Sequence, residues 1–243
     1  MDSTSTSDLA TAREWSRELL GEPSPVDFFL SPPRFVSSER TDHSMSLTLS
    51  GEHCFGLGFG PEPPVNSSWT RCSIDQSAFG DYLGPLVANG QWDFFCVDTA
   101  RSSHESPVEG VSDDGVITEI LTNHAPHSQV WPGNAEIVNW YGVRDSKGQW
   151  VSLGALVRWE SGLHVLASVV TVSDRRGQGL AQLLVRAMVA EARRSHIRWL
   201  GLGVAHDNAA VQRTYERAGF VVRANFTSYA LPSSSDRAYF WLR

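Results

Sequence analysis

The sequence predicts an α/β chain of the α+β kind in two parts, the second built on consecutive antiparallel strands rather than alternating strand–helix units. Three observations carry this. Residues 137–143, 150–159 and 164–172 are apolar, strand-like runs separated by Asp145-Ser146-Lys147-Gly148 and Glu160-Ser161-Gly162, which have hairpin-turn chemistry. An amphipathic run follows over 178–194, with Leu180, Leu183, Leu184, Ala187 and Met188 on one face and Arg186, Arg193 and Arg194 on the other. The polar segment 100–106, ending before Pro107, reads as a linker. It divides the chain into a smaller accessory α/β domain, 1–106, and a second domain, 107–243.

Residues 1–7 are polar and read as a frayed tail. Ser7 or Asp8 caps a helix whose apolar positions Leu9, Ala12, Trp15 and Leu19 share one face, and Gly21 and Pro23 stop it. Beyond a proline-rich stretch, 44–49 and 54–59 read as two strands joined by Ser50-Gly51-Glu52-His53. After Pro61-Glu62-Pro63-Pro64, a helix is expected over 75–88, ended by Asn89-Gly90, and a buried strand over 92–97.

In the second part a short strand at 108–111 precedes a helix over 113–124, and a break over 126–134 leads into the three strands. The helix over 178–194 is followed by a strand at 199–205 and a helix over 208–218 that Gly219 terminates. Two strands, 220–231 and 237–242, close the chain around Pro232-Ser233-Ser234-Ser235.

Composition narrows the function. The net charge of −7 does not suit a sequence-independent nucleic-acid binder, which needs a basic surface to release counterions from phosphate. Cys54, Cys72 and Cys96 are too few and too irregular for a disulfide framework or a zinc site; free thiols in a reducing compartment are expected. His43 and His53 have no third ligand at a persuasive spacing, so no metal is expected. A start without a basic or apolar stretch, and no apolar run of about eighteen residues, predict a cytoplasmic protein that engages no membrane.

The most informative segment is Arg176-Gly177-Gln178-Gly179-Leu180-Ala181, where a buried strand gives way to the amphipathic helix. The first N–H groups of a helix have no partner within it, and the helix dipole leaves partial positive charge there. Gly177 and Gly179 admit unusual backbone angles and keep side chains out of a ligand's way. The result suits a pyrophosphate, with Arg175 and Arg176 adding charge. Taken alone, the same pattern also fits a turn that binds nothing. A nucleotide-hydrolase loop needs a Lys-Ser/Thr pair that is absent, and a dinucleotide loop needs glycine where Gln182 stands.

That segment resembles the Gln/Arg-x-x-Gly-x-Gly/Ala signature of the GNAT superfamily of N-acetyltransferases. A second block, Asn208, Tyr215 and Gly219-Phe220, is similar to the family's Asn-x-x-Ala-x-x-x-Tyr-x-x-x-Gly-Phe pattern, with Val211 in place of the small alanine. The resemblance covers about 107–243 and implies a mixed, mostly antiparallel central sheet flanked by helices. It implies acetyl-CoA as acyl donor and a primary amine, on a small molecule or peptide, as acceptor. It further implies that backbone groups of Val169, Val170 and Thr171 meet the pantetheine arm, that Arg176, Gly177, Gln178, Gly179, Leu180 and Ala181 hold the pyrophosphate, and that Asn208 lies near the pantetheine.

Tyr215 matches the general acid that protonates the departing thiolate, although Val211, Tyr215 and Ala218 also form one helical face that fits a core. Glu136, Glu160 and His164 are the candidate bases, each equally readable as a turn or surface residue. The resemblance also leaves open a module that binds CoA thioesters without turnover. The first hundred residues carry neither block; their strand–strand–helix–strand order admits a degenerate copy of the same fold.

Overall fold

The computed structural model describes residues 3–78, 83–105 and 107–232. The chain forms two compact units: Met1–Phe94 with Gly203–Asn208 and Val222–Arg243, and Phe95–Leu202 with Ala209–Val221. They are interleaved along the sequence, unlike a linear division at 106/107, because the last described strand pairs with N-terminal strands. Thr99–Arg101 is a 3₁₀ turn, and the Arg193 guanidinium holds the main-chain oxygens of Ser102 and His104.

In the first unit, β1 (Thr4–Thr6), β2 (Phe35–Arg40), β3 (Met45–Leu49), β4 (Phe55–Phe59), β5 (Arg71–Asp75) and β12 (Val221–Ala230) are neighbours in that order. All these pairings are antiparallel except β4 with β5. β1 replaces the frayed tail expected at the start. Helix α1 (Leu9–Leu20) begins where Asp8 accepts the Thr11 N–H at 2.9 Å and ends at Gly21, as its sequence signals indicate. The proline-rich stretch hides a second short helix, α2 (Pro25–Phe29), capped by Ser24.

Among the described residues of 75–88 the expected helix is not formed. Residues 71–75 are β5, Asp75 Oδ1 accepts the Ser77 N–H in a tight turn at 2.8 Å, and β6 (Val87–Asp98) has begun by Val87. Residues 79–82 of that expected helix lie outside the described residues. At its start, pairing with β12 overrides local helix propensity, Asp75 lying opposite Phe226. Among the described residues of the N-terminal half, β3, β4, β5 and β6 follow one another with no helix between them. Its core is aromatic: Trp92 stacks on Phe226 with ring centroids 4.5 Å apart, and Phe28 meets Phe94 edge-on at 5.0 Å.

In the second unit, β11 (Trp199–Ala205), β10 (His164–Thr171), β9 (Trp150–Arg158), β8 (Ile137–Arg144) and β7 (Glu109–Gly110) follow one another across the sheet. Only β10 with β11 is parallel. The hairpins close at the two expected turns, the Gly148 N–H donating to the Asp145 oxygen and the Gly162 N–H to the oxygen of Trp159, just ahead of Glu160-Ser161-Gly162. Helix α3 (Asp114–His124) is capped by Asp113, and α4 (Leu180–Arg194) buries Leu184, Val185, Ala187, Met188, Val189, Ala190 and Ala192. Leu183, assigned to the apolar face from its spacing, is 46% exposed. α5 (Ala209–Arg217) ends at Gly219, whose φ is +93°. The strand expected at 237–242 lies outside the described residues.

Candidate active site

The turn between β10 and α4 has the geometry an anion needs. Gly177 and Gly179 both have φ of +77°, a left-handed conformation that favours glycine, and a Cβ at either would meet no atom within 4 Å. The first helical bond of α4 runs from the Leu183 N–H to the Gly179 oxygen at 2.9 Å. The N–H groups of Leu180, Ala181 and Gln182 precede it, and Gly179 has no side chain to cap them. Arg176, Gly177, Gln178 and Gly179 are exposed, Leu180 and Ala181 half-buried.

The two arginines do something other than the sequence suggests. Arg175 is spent on Asp145, with Nη2 at 3.1 Å from Oδ2. Arg176 donates from Nε to the Thr171 oxygen at 3.2 Å and from Nη2 to the His124 oxygen at 2.8 Å. Its side chain braces the turn between the end of β10 and the end of α3. His124 adds a second tie, its Nδ1 accepting the Ser173 N–H at 3.3 Å.

Ahead of the turn, β10 is irregular. Its parallel register with β11 covers His164 with Leu200 and Val165 with Gly201. Its antiparallel register with β9 shifts between Ala167 and Val170, taking Ser168 and Val169 out of that ladder. Of the three positions matched to the pantetheine arm, Val169 alone lies in this bulge. The Val170 oxygen accepts the Ser152 hydroxyl at 2.8 Å, and the Thr171 oxygen is taken by Arg176.

Tyr215 is buried, 7% exposed, on the inner side of α5. Its ring lies 5.9 Å from that of Phe220 and 6.4 Å from that of Phe95, centroid to centroid. The main-chain oxygen of Tyr215 accepts the N–H groups of Ala218 and Phe220 as the helix closes, and Arg186 binds the Arg217 oxygen at 2.8 Å. The helix end is thus tied to α4. Burial pushes the phenol up to about 12, so the hydroxyl keeps its proton at neutral pH.

The candidate bases gather elsewhere. Glu160 is exposed in the β9–β10 turn, and the Glu136 oxygen accepts the Arg158 N–H at 2.9 Å. His164 starts β10, seven residues before Thr171, roughly 23 Å along an extended strand. Burial, and then Arg158, lower its pKa. Asn208, in the first unit, is exposed before α5, its N–H donating to the Ala205 oxygen at 3.0 Å.

One arrangement was not singled out from sequence. In the first unit the Asp93 carboxylate, whose side chain is 3% exposed, has both oxygens 2.9 Å from Nδ1 of His206. Asn225 Nδ2 donates to the same carboxylate. A buried carboxylate so placed orients an imidazole. The partners are 113 residues apart, and no local pattern marks them.

Among the described residues no three His, Cys, Asp or Glu side chains group to hold a metal ion, and no helix is long and apolar enough to cross a membrane. Cys72 and Cys96 are buried and Cys54 half-buried, all as free thiols.

Comparison with known proteins gives a consistent picture. The family model described as acetyltransferase (GNAT) family matches residues 102–220. A GCN5-related N-acetyltransferase from Sphaerobacter thermophilus superposes with a TM-score of 0.57 at 12% identity, over 93% of this chain and 94% of that one. Another from Kribbella flavida gives 0.54 at 15% identity, over 79% of this chain and 87% of that one. At these identities the likeness is one of fold. No curated protein matches.

Proposed function

Since residues 102–220 belong to the GNAT family of acetyltransferases, we propose that the protein transfers an acetyl group from acetyl-CoA to a primary amine on a small molecule or peptide. The observation that carries this is the turn opening α4: two left-handed glycines with open space on their Cβ side, and three N–H groups that no side chain caps. That set fits a diphosphate, whose oxygens satisfy several N–H groups at once. The residues assigned to it are Arg176, Gly177, Gln178, Gly179, Leu180 and Ala181. The bulged edge of β10 at Val169 offers backbone groups to the adjoining arm, with Val170 and Thr171 shaping it. On the matched block, Asn208 is assigned to the same arm.

Acetyl-CoA supplies an activated acyl group in its thioester. The protein orients that group and provides a proton for the leaving sulfur. Tyr215 is the assigned donor: its hydroxyl remains protonated well above neutral pH, and its ring is fixed between Phe95 and Phe220. A positioned donor of this kind lets the thiolate leave as it gains a proton.

The test is thiol release from acetyl-CoA across a panel of primary amines, alongside calorimetric titration with CoA. Amine-dependent thiol release supports transfer. Tight CoA binding without turnover on any amine would replace transfer by sensing, and no binding would remove CoA thioesters altogether.

A further inference from the structure

Among the described residues two that are not glycine have positive φ, Ser168 at +49° and His196 at +57°. His196 follows the end of α4, where a left-handed residue is an ordinary way to stop a helix. Ser168 lies inside a strand, where such a conformation strains a residue with a Cβ. Glycine would remove that strain. What glycine lacks is the hydroxyl, and here it is used twice: Ser168 Oγ donates to the Val130 oxygen at 2.8 Å and accepts the Val130 N–H at 3.3 Å.

Val130 is 1% exposed and belongs to no helix or strand, so its two main-chain groups depend on such partners. The hydroxyl thereby fastens the β10 bulge to the segment between α3 and β8. The fastening sits at the residue before Val169, the position whose backbone leaves the β9 register. A strained conformation persists only where its surroundings hold it, and such residues concentrate at functional sites.

We propose that Ser168 is a positioning residue for acyl transfer: its two bonds to Val130 fix the backbone of Val169 at the angle that aligns the thioester arm. This rests on the acyltransfer reading above. The residue touches no reacting atom. Its effect is on alignment, so it belongs to the rate of the chemical step more than to cofactor affinity, which the α4 turn secures from the other end of the arm.

Ser168→Gly and Ser168→Ala test this. Glycine keeps the left-handed angle and loses only the fastening; alanine loses the fastening and keeps the strain. Both are expected to lower kcat by roughly 10–100-fold, the usual cost of misplacing a reacting group by about an ångström, with CoA affinity within about threefold of wild type. Amide exchange at 169–171 should slow on adding CoA to the wild type and change little in the glycine variant. A glycine variant with wild-type kcat and wild-type protection overturns the positioning role even if it melts earlier, because the hydroxyl then serves stability alone. A wild type that shows neither CoA protection nor thiol release overturns the acyltransfer reading, and this inference with it.

Discussion

Nη2 of Arg176 donates to the main-chain oxygen of His124 at 2.8 Å, joining residues 52 positions apart, while Nε of the same guanidinium holds Thr171. The family signature begins with this arginine, yet its charged head is turned onto backbone oxygens. Two oxygens approached in fixed directions require a planar fork, which lysine does not provide. Arg176→Lys should therefore weaken CoA binding about tenfold, or ~1.4 kcal/mol, as much as Arg176→Gln does. A lysine variant with wild-type affinity in calorimetry would show that the position supplies charge alone.

The glycine turn can be tested by filling it. A tryptophan at Gly179 would occupy the open space on the Cβ side of the turn and be held at a φ of +77°, at a strain of roughly 1–2 kcal/mol. CoA binding should be abolished while the circular dichroism of the fold is retained. Undiminished affinity would move the pyrophosphate elsewhere.

Tyr215→Phe removes one hydroxyl and leaves the ring between Phe95 and Phe220. The maximal rate should fall by roughly 10²–10⁴-fold with acetyl-CoA affinity unchanged. Full turnover in the variant would leave Tyr215 a core residue.

The same phenol predicts a pH effect on stability. Its folded value of about 12 lies above the ordinary value of 10.0, so the unfolded chain loses the proton first. The contribution is complete below pH 10 and is lost as pH rises towards 12. Urea unfolding of wild type and Tyr215→Phe should diverge in that interval; parallel curves would mean the hydroxyl is in contact with water.

In the first unit, Asp93→Asn keeps the shape of the side chain and removes the charge that holds His206 and Asn225. A loss of about 1–3 kcal/mol is expected in chemical denaturation, the cost of weakening hydrogen bonds to a buried charged acceptor. A variant as stable as wild type would mean that the carboxylate does not organise the residues following β11.

The elements read well from sequence are those whose signals are local. Asp8 and Gly21 bound α1, Asp113 starts α3, and glycines at 148 and 162 close the hairpins, because caps and turns are settled within a few residues. The start of the segment 75–88 is not helical because Asp75 and Gln76 are held by β12, some 150 residues on, as with Gln76 and Phe226. The α4 turn was legible as a backbone shape, since glycine spacing encodes it. The use of its arginines was not: whether a guanidinium meets a ligand, a carboxylate or a main-chain oxygen depends on neighbours such as Asp145 and His124. The Asp93–His206 pair and the Ser168–Val130 fastening were illegible for the same reason.

The interleaving of the two units governs the order in which the molecule can be completed. During synthesis β5 emerges early, but its neighbour β12 comes far later; Ser73 and Ser228, whose hydroxyls meet at 3.0 Å, are 155 residues apart. Throughout that interval the edge of β5 that β12 will cover remains unpaired and able to template wrong partners. A nascent chain can therefore finish the strands of the second unit while the first still waits for its closing strand. Shortening the chain from its C-terminal side should thus do its first damage to the unit that is made first.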